Sequence, residues 1–206
     1  MWSNPHQVTR DFEAALCRYT GAPYAVACTS CTAAIQGALA HWRENVKRWH
    51  QSRVVTMPKL SYVGVPAAVR NAGLKVRFRD QDWQGGYDFA PTPVWDCARW
   101  FSADMYVVGT MQCVSFHSSK ILADTQGGAV LLDDFAAAEW LRRYFFDGRT
   151  YGMDAKQDPV TYPSMHAYMS PDVAARLLWK LSALPRHNPV LPRSDYPELD
   201  KLEAFK

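Results

Sequence analysis

Four short segments of the sequence contain side chains that can carry out amine and acid–base chemistry. They are Thr29-Ser-Cys-Thr32, Pro58-Lys-Leu-Ser-Tyr62, Trp95-Asp-Cys-Ala-Arg99 and Ser115-Phe-His-Ser-Ser-Lys120. A lysine amine is a nucleophile once it has lost its proton, and hydroxyls at the start of a helix suit an anion. Each segment lies at the end of a predicted strand, which is where open α/β sheets bind ligands. The four segments therefore predict one ligand site.

Taken singly, each of these features has a plain structural explanation. The serines and threonines of the first segment can cap a helix, and Asp96 can cap a turn. Tyr62 can belong to the core, and a lone lysine such as Lys120 is usually a solvated surface group. Only the four segments together favour a functional site.

A separate alternative comes from Cys28-Thr-Ser-Cys31, a C-x-x-C pair at a strand-to-helix junction. This spacing and context are typical of thioredoxin-like redox sites. The rest of the chain does not follow that short fold, so the sequence disfavours this interpretation.

The composition is that of an ordinary globular protein, with 206 residues, 48% hydrophobic and 21% charged. No apolar run is long enough to cross a bilayer, and no secretory signal pattern opens the chain. Five cysteines without framework spacing predict free thiols and a cytoplasmic location. A net charge of +3 with eight tryptophans supports a nucleic-acid partner only weakly. Apolar core and interface positions explain the tryptophans better.

Hydrophobic periodicity predicts alternating strands and helices over most of the chain. The expected helices cover residues 8–19, 32–42, 63–71, 134–146 and 171–184, and the expected strands cover residues 24–28, 54–57, 75–78, 94–95, 105–108, 113–116 and 128–132. Such alternation predicts an α/β domain, residues 1–184, with a mostly parallel mixed sheet flanked by helices. The remaining residues, 185–206, include three prolines within eight residues and predict an extended tail.

In this order, the segments resemble the DegT/StrS family of sugar aminotransferases, which are fold-type I enzymes dependent on pyridoxal 5′-phosphate (PLP). The family's S-S-G-T-A-A-L phosphate cup corresponds to residues 29–35, and its P-S-F-T-F-V-A-T segment to residues 58–65. E-D-A-A-Q corresponds to residues 95–99, S-F-H-x-x-K is intact as residues 115–120, and G-E-G-G-A corresponds to residues 125–129. The resemblance covers about residues 8–184.

The resemblance implies a role for each candidate residue. Lys120 is expected to form a Schiff base with PLP, and Asp96 to face the cofactor's ring nitrogen and keep it protonated. Tyr62 is expected to stack on the ring. The phosphate is expected to contact four residues: Ser30, Cys31, Thr32 and Ser115. His117 can relay protons or only support the lysine loop.

Two further expectations concern the phenolic oxygen of the cofactor and the partner subunit. Arg99 replaces a glutamine or histidine that usually touches that oxygen, and its charge would shift the proton equilibrium of the Schiff base. His166 stands where the family has an asparagine that reaches the partner subunit's phosphate. The resemblance thus implies a homodimer with shared active sites.

The chain also departs from the family. The C-terminal small domain is expected to be largely missing, and a strand and helix are expected to be lost between Tyr87 and Val94. Cys31 adds a side chain where the family has a phosphate-cup glycine. The two deletions are expected to affect substrate recognition more than cofactor binding.

The resulting prediction is an aminotransferase that moves an amino group from a small-molecule donor to a keto-sugar nucleotide or related carbonyl. One alternative is other PLP chemistry at Cα, such as decarboxylation, on an amino acid or on a bulky or nucleic-acid-attached amine. Another is a degenerate, non-catalytic protein of the same fold.

Overall fold

In the computed structural model, residues 4–45, 53–193 and 195–206 are described. Five helices lie in these ranges: α1 (Gln7–Thr20), α2 (Cys31–Asn45), α3 (Gly64–Asn71), α4 (Phe135–Phe145) and α5 (Pro171–Ser182). Seven strands lie there too: β1 (Tyr24–Cys28), β2 (Val54–Pro58), β3 (Lys75–Arg79), β4 (Tyr87–Asp88), β5 (Val94–Asp96), β6 (Met111–Ser115) and β7 (Gly128–Leu132). The predicted helices are therefore confirmed, with small shifts at their ends.

The strands form a five-stranded sheet in the order β1-β7-β6-β5-β4 and a separate parallel pair, β2-β3. In the larger sheet only β5 and β6 pair in parallel, and the other three pairs are antiparallel. The prediction of a mostly parallel sheet was wrong. Strands β6 and β7, and likewise β4 and β5, are joined without a crossover helix, and such connections return a strand antiparallel to its neighbour.

The predicted strand at residues 105–108 was also wrong. Its backbone bonds to the end of α1 instead of to a strand, because Asp104 and Tyr106 donate their N–H groups to the carbonyls of Tyr19 and Thr20, both at 3.0 Å. Val108, which the apolar pattern placed in a strand, is exposed. An apolar run alone does not provide a neighbouring strand with which to pair.

Helices cover both faces of the sheet. Helices α2, α3 and α4 pack with one buried cluster, and α1 and α5 pack with the other. Every residue of β6 and β7 is buried, as expected for central strands covered on both faces. At its start, α4 is capped by Asp134, whose carboxylate accepts hydrogen bonds from the N–H groups of Ala136 and Ala137.

The C-terminal tail, residues 185–206, packs back on the domain. It has no regular structure in its described part apart from two 3-10 turns, Leu199–Lys201 and Glu203–Phe205. Leu199 is fully buried, and its N–H donates to the carbonyl of Lys59 at 2.9 Å. Whether residue 184 is a domain boundary stays a prediction. No helix among the described residues is long and apolar enough to cross a membrane.

Candidate cofactor site

The candidate site is a cavity of about 390 Å³ at the ends of β5 and β6 and the start of α2. It brings together eight of the nine predicted cofactor and catalytic residues: Ser30, Cys31, Thr32, Tyr62, Asp96, Arg99, Ser115 and Lys120. These residues come from four segments that are distant in sequence. The ninth, His166, is not among the residues that line the cavity.

The start of α2 has backbone donors available for an anion. The Ser30 hydroxyl accepts a hydrogen bond from the N–H of Ala33 at 3.1 Å, and its carbonyl accepts from Ala34 at 2.9 Å. Within the described ranges, no group accepts the N–H groups of Cys31 and Thr32. Free N–H groups at the positive end of a helix dipole suit a phosphate. We call residues 29–32 the anion cup.

Strand β7 begins directly against this cup. A Cβ atom on Gly128 would lie 2.3 Å from the carbonyl carbon of Ser30 and 2.4 Å from the backbone nitrogen of Cys31. Only glycine therefore fits this position without moving the cup. Gly128 pairs with Ser115 across the sheet, so Ser115 lies beside the cup at the end of β6.

Asp96 is the buried acid of the site, with 6% of its surface exposed. One carboxylate oxygen accepts the N–H of Ala98 at 2.9 Å, and the other accepts the hydroxyl of Tyr87 at 3.0 Å. Burial raises the pKa of Asp96, although these two hydrogen bonds and the charge of Lys120 favour the ionised form. Asp96 forms no ion pair with any described residue. A cation in the cavity would therefore be its natural partner.

Lys120 lies in the loop that follows β6, and its backbone N–H donates to the carbonyl of His117 at 2.9 Å. Its amine has no hydrogen-bond or ion-pair partner in the described part of the chain. Partial burial lowers the pKa of Lys120, and the Arg99 guanidinium lowers it further, while Asp96 opposes this. A lysine with a lowered pKa more readily provides the neutral amine that attacks a carbonyl carbon.

Arg99 is held by its backbone. Its N–H donates to the carbonyl of Gly85 at 3.3 Å, and its carbonyl accepts from Leu191 of the tail at 2.9 Å. The side-chain Nε is buried without a hydrogen-bond partner among the described residues. Arg99 thus places an unpaired positive charge in the same cavity as Lys120.

Tyr62 lies at the mouth of the cavity with 54% of its surface exposed. A Cβ atom on Gly64 would lie 2.8 Å from the Tyr62 ring, so the glycine leaves room for this ring position. The exposed ring is available to stack on a bound ligand, which is the role that the sequence implied.

The two histidines have different surroundings. His117 lines the cavity, and its Nδ1 lies 3.1 Å from the Ser119 hydroxyl. His166 is exposed and lies 2.6 Å from a carboxylate oxygen of Asp147 through its Nδ1. The structure therefore places His117, but not His166, beside the candidate cofactor residues of its own chain.

The thioredoxin-like alternative does not fit these surroundings. All five cysteines are free thiols. Burial raises the pKa of the Cys28 thiol to about 12 and that of Cys31 well above its ordinary value. A redox-active cysteine pair needs a lowered thiol pKa and access to solvent, so these thiols are inert by comparison.

Three further residues of this region lie outside the segments that the sequence analysis singled out. Trp83 and Tyr196 line the cavity, and Tyr87 supports Asp96 from behind. Tyr196 comes from the tail and stacks on Trp83 with the ring centroids 6.3 Å apart. These positions depend on strand register and on the path of the tail, and no local pattern signals either.

These residues fit a phosphorylated pyridine aldehyde. The anion cup has free donors for its phosphate, the Lys120 amine has no protein partner, and buried Asp96 lacks a positive partner. The fold defines the class as an α/β domain of the fold-type I aminotransferase kind.

Comparison with known proteins identifies the family. The sequence model of the DegT/DnrJ/EryC1/StrS aminotransferase family matches residues 1–87 and 98–189 of the chain. The chain belongs to this family, whose members typically use PLP. The unmatched residues, 88–97, include Asp96 and the connection between β4 and β5, where the sequence predicted a deletion.

Solved structures show the same fold. The chain is 20% identical to AtS13 from Actinomadura melliaura, with a TM-score of 0.75, covering 87% of this chain and 60% of that one. The sugar aminotransferase CalS13 from Micromonospora echinospora is 18% identical with a TM-score of 0.70, and the match covers 85% of this chain and 60% of that one. DesI, solved in the presence of its TDP-sugar product, is 26% identical with a TM-score of 0.62, and the match covers 87% of this chain and 53% of that one. The chain thus spans 53–60% of the length of these structures. No curated protein matches it.

Proposed function

We propose that this protein is a PLP-dependent aminotransferase that uses Lys120 to hold the cofactor covalently. The observation that carries the proposal is the meeting of three groups in one cavity: the unpaired Lys120 amine, the buried Asp96 carboxylate and the anion cup. When bound, PLP supplies an electron sink for the negative charge that develops at the substrate carbon beside the nitrogen.

Each residue has a separate task in this proposal. The free N–H groups of the anion cup bind the phosphate, and Tyr62 orients the ring by stacking. Asp96 holds a proton on the ring nitrogen. With the cofactor and substrate bound, the Lys120 amine would move a proton at the substrate Cα, for which its lowered pKa suits it. Arg99, which lines the same cavity, would donate a hydrogen bond to an oxygen of the cofactor.

The proposed substrates are a small amine donor and a keto-sugar nucleotide or related carbonyl. Support comes from the relatives: CalS13 is described as a sugar aminotransferase, and DesI was solved with a TDP-sugar product. The reaction type is tested by analysing products with and without an added keto acid. Amino-group transfer requires the acceptor, whereas decarboxylation proceeds without it.

Absorption spectroscopy tests cofactor attachment. Added PLP is expected to produce a visible band with the wild-type protein, and borohydride is expected to trap the cofactor on the peptide that contains Lys120. Lys120→Ala is expected to lose both signals. Lys156→Ala, a control in an exposed segment away from the cavity, is expected to keep them. Trapping on another peptide would overturn the assignment of Lys120.

We also propose a homodimer in which His166 contacts the phosphate bound by the partner subunit. The exposure of His166 and its position outside the cavity of its own chain support this. Light scattering at several dilutions tests the assembly. If His166→Ala is inactive, mixing it with inactive Lys120→Ala subunits is expected to restore part of the activity, because one site of each heterodimer is then intact. A monomer with full PLP affinity would contradict this proposal.

A further inference from the structure

Tyr87 lies directly opposite Asp96 in the antiparallel pair of β4 and β5. Side chains at directly opposite positions lie on the same face of a sheet and close together. The hairpin register therefore brings the Tyr87 hydroxyl to within 3.0 Å of a carboxylate oxygen of Asp96. This hairpin includes residues 88–96, which make up nearly all of the segment, residues 88–97, that the family model does not match.

The hydrogen bonds behind Asp96 run in one direction. A phenol has a single proton, and a carboxylate can only accept, so Tyr87 donates to Asp96. The Ser61 hydroxyl lies 2.6 Å from the Tyr87 oxygen. Since the Tyr87 proton is already used, Ser61 donates to Tyr87. The result is a chain from Ser61 through Tyr87 to Asp96.

Packing fixes the Tyr87 ring. Only 2% of its surface is exposed. Trp83 packs against it edge to face, with ring centroids 5.0 Å apart, and Phe89 packs from another side at 5.5 Å. Trp83 is itself held through a hydrogen bond of 2.8 Å from its indole N–H to the carbonyl of Leu60. Because the Tyr87 ring is packed on several sides, its hydroxyl group is fixed in one position.

We infer that Tyr87, supported by Ser61, is a positioning residue that fixes the orientation and charge of the Asp96 carboxylate toward the cavity. The inference rests on the proposed function. With Ala98 on one oxygen and Tyr87 on the other, the carboxylate cannot rotate without losing a bond. The Cys31 thiol also donates to the oxygen that Ala98 contacts. The oxygen that faces Tyr87 keeps a further lone pair, so Asp96 can still accept a proton donor from the cavity.

The Tyr87 bond stabilises the ionised form of Asp96. A hydrogen bond to a charged acceptor commonly lowers the pKa of that acceptor by about one unit or more. Without it, burial raises the Asp96 pKa further. A more basic carboxylate takes a larger share of the proton that it shares with a ring nitrogen, so less of the ring stays positively charged.

Other ionisable groups around Asp96 must be considered in the test. The Lys120 charge favours the ionised carboxylate, and the surrounding thiols are those of Cys31, Cys97 and Cys113. The pKa values of all three thiols are raised, so they stay protonated near and below neutrality. Titration of the carboxylate below pH 8 therefore meets constant thiol charges.

The experiment compares Tyr87→Phe with the wild-type protein by following the Asp96 carboxyl carbon in 13C NMR as the pH changes, without added cofactor. Tyr87→Phe keeps the packed ring and removes only the donor. The Asp96 midpoint is expected to rise by about one pH unit. Ser61→Ala is expected to shift it in the same direction by less, and Ser61→Thr to restore it.

Tyr106→Phe provides the matched control, because the Tyr106 hydroxyl donates to the carbonyl of Thr110 at 3.0 Å, outside the cavity. It is expected to leave the Asp96 midpoint unchanged. With PLP added, Tyr87→Phe is expected to move the pH midpoint of the visible band while Tyr106→Phe does not.

The two readouts separate two failures. A wild-type protein that never produces a PLP band would overturn the proposed function, and the NMR titration would still report on Tyr87. An Asp96 midpoint that is equal in Tyr87→Phe and wild type would overturn the positioning role, even if PLP binds. A fall in the thermal stability of Tyr87→Phe without a midpoint shift would show that the Tyr87 hydroxyl stabilises the fold and does not set the charge of Asp96.

Discussion

Two aspartates of this protein, Asp124 and Asp96, are almost equally buried, but the first has positively charged partners and the second has neutral ones. Asp124 is 4% exposed, and both of its carboxylate oxygens accept hydrogen bonds from Arg176, while the Lys180 amine lies 2.9 Å from one of them. Asp96 is 6% exposed, and its hydrogen-bond partners are neutral groups of Ala98, Tyr87 and Cys31. Hydrogen bonds to Arg176 and Lys180 hold the pKa of Asp124 far below its ordinary value, whereas burial raises that of Asp96.

The difference indicates what each carboxylate does. Asp124 connects the loop after β6 to α5, so its negative charge is neutralised by side chains of the protein itself. Asp96 is aimed at a cavity and has no counter-ion among the described residues, so its charge is available to a ligand. A buried carboxylate without a cation is costly for the folded state, and such costs concentrate at functional sites.

The largest effect is expected for Asp96→Asn. Asparagine accepts the Ala98 N–H and donates to the Tyr87 oxygen, whose own proton then turns to the Ser61 hydroxyl, so the hydrogen bonds are kept and only the charge is lost. We expect turnover to fall on the order of 10²-fold or more, as when a preorganised electrostatic group is removed. The measurement is the conversion of bound PLP by an added amine donor, followed by absorption.

The same variant is expected to keep or gain stability near neutral pH. Because the folded-state pKa of Asp96 is raised, its contribution to stability is present below the unfolded value, about 3.9, and is lost as the pH rises through the folded pKa. Asparagine has no such dependence. Urea unfolding at pH 7 and at pH 4 checks this, and a marked loss of stability at pH 7 would contradict the comparison.

Asp124→Asn is expected to do the reverse. It breaks hydrogen bonds to charged groups and is expected to lower the free energy of unfolding by about 1–3 kcal/mol, while Arg176 and Lys180 are exposed enough to be solvated again. PLP attachment to Lys120 is expected to persist. Asp172→Asn is the matched control, since exposed Asp172 pairs with the same Arg176 at 3.0 Å and contributes little.

The stabilisation by Asp124 is expected to depend on pH in a definite direction. The folded pKa of Asp124 is depressed, so its stabilisation is complete above the unfolded value of about 3.9 and is lost as the pH falls through the folded pKa. The wild-type advantage over Asp124→Asn is therefore expected to be full at pH 7 and to shrink below about pH 4. An advantage that is independent of pH would mean that shape, and not charge, explains the effect.

The sequence predicted one aspartate of this pair and not the other. Asp96 was found because it follows a strand within an ordered set of motifs, and eight site residues of that set do meet in one cavity. Asp124 depends on α5, more than fifty positions away, and its pairing has no local signal. Tyr87 was missed for the same reason, since its role follows from the register of β4 and β5.

The fold shows a similar limit. Helix positions follow from periodicity and capping, and the β2-α3-β3 unit is parallel as alternation predicts. Strand direction elsewhere depends on whether a crossover helix is present, and the loop between β6 and β7 has none within its described residues. The tail was read as an extended arm, and its contribution of Tyr196 to the cavity depends on the burial of Leu199.

The smallest effect is expected for Arg99, the unpaired cation that lines the same cavity as Asp96. Its charge lowers the pKa of Lys120, second to burial. Arg99→Gln, which restores the residue type usual in the family, is expected to raise that pKa by a fraction of a unit. Attachment of PLP requires the neutral amine, so the pH profile of the attachment rate is expected to move to higher pH.

Borohydride trapping at timed intervals from pH 6 to pH 9 measures this profile. Arg99→Lys keeps a positive charge and is expected to retain the wild-type midpoint, which separates the effect of charge from that of shape. Equal midpoints in all three proteins would mean that Arg99 does not act on Lys120 through its charge. A large rise in amino transfer by Arg99→Gln would instead show that Arg99 directs the wild-type site toward a different reaction, because the variant keeps Asp96, Lys120 and the anion cup.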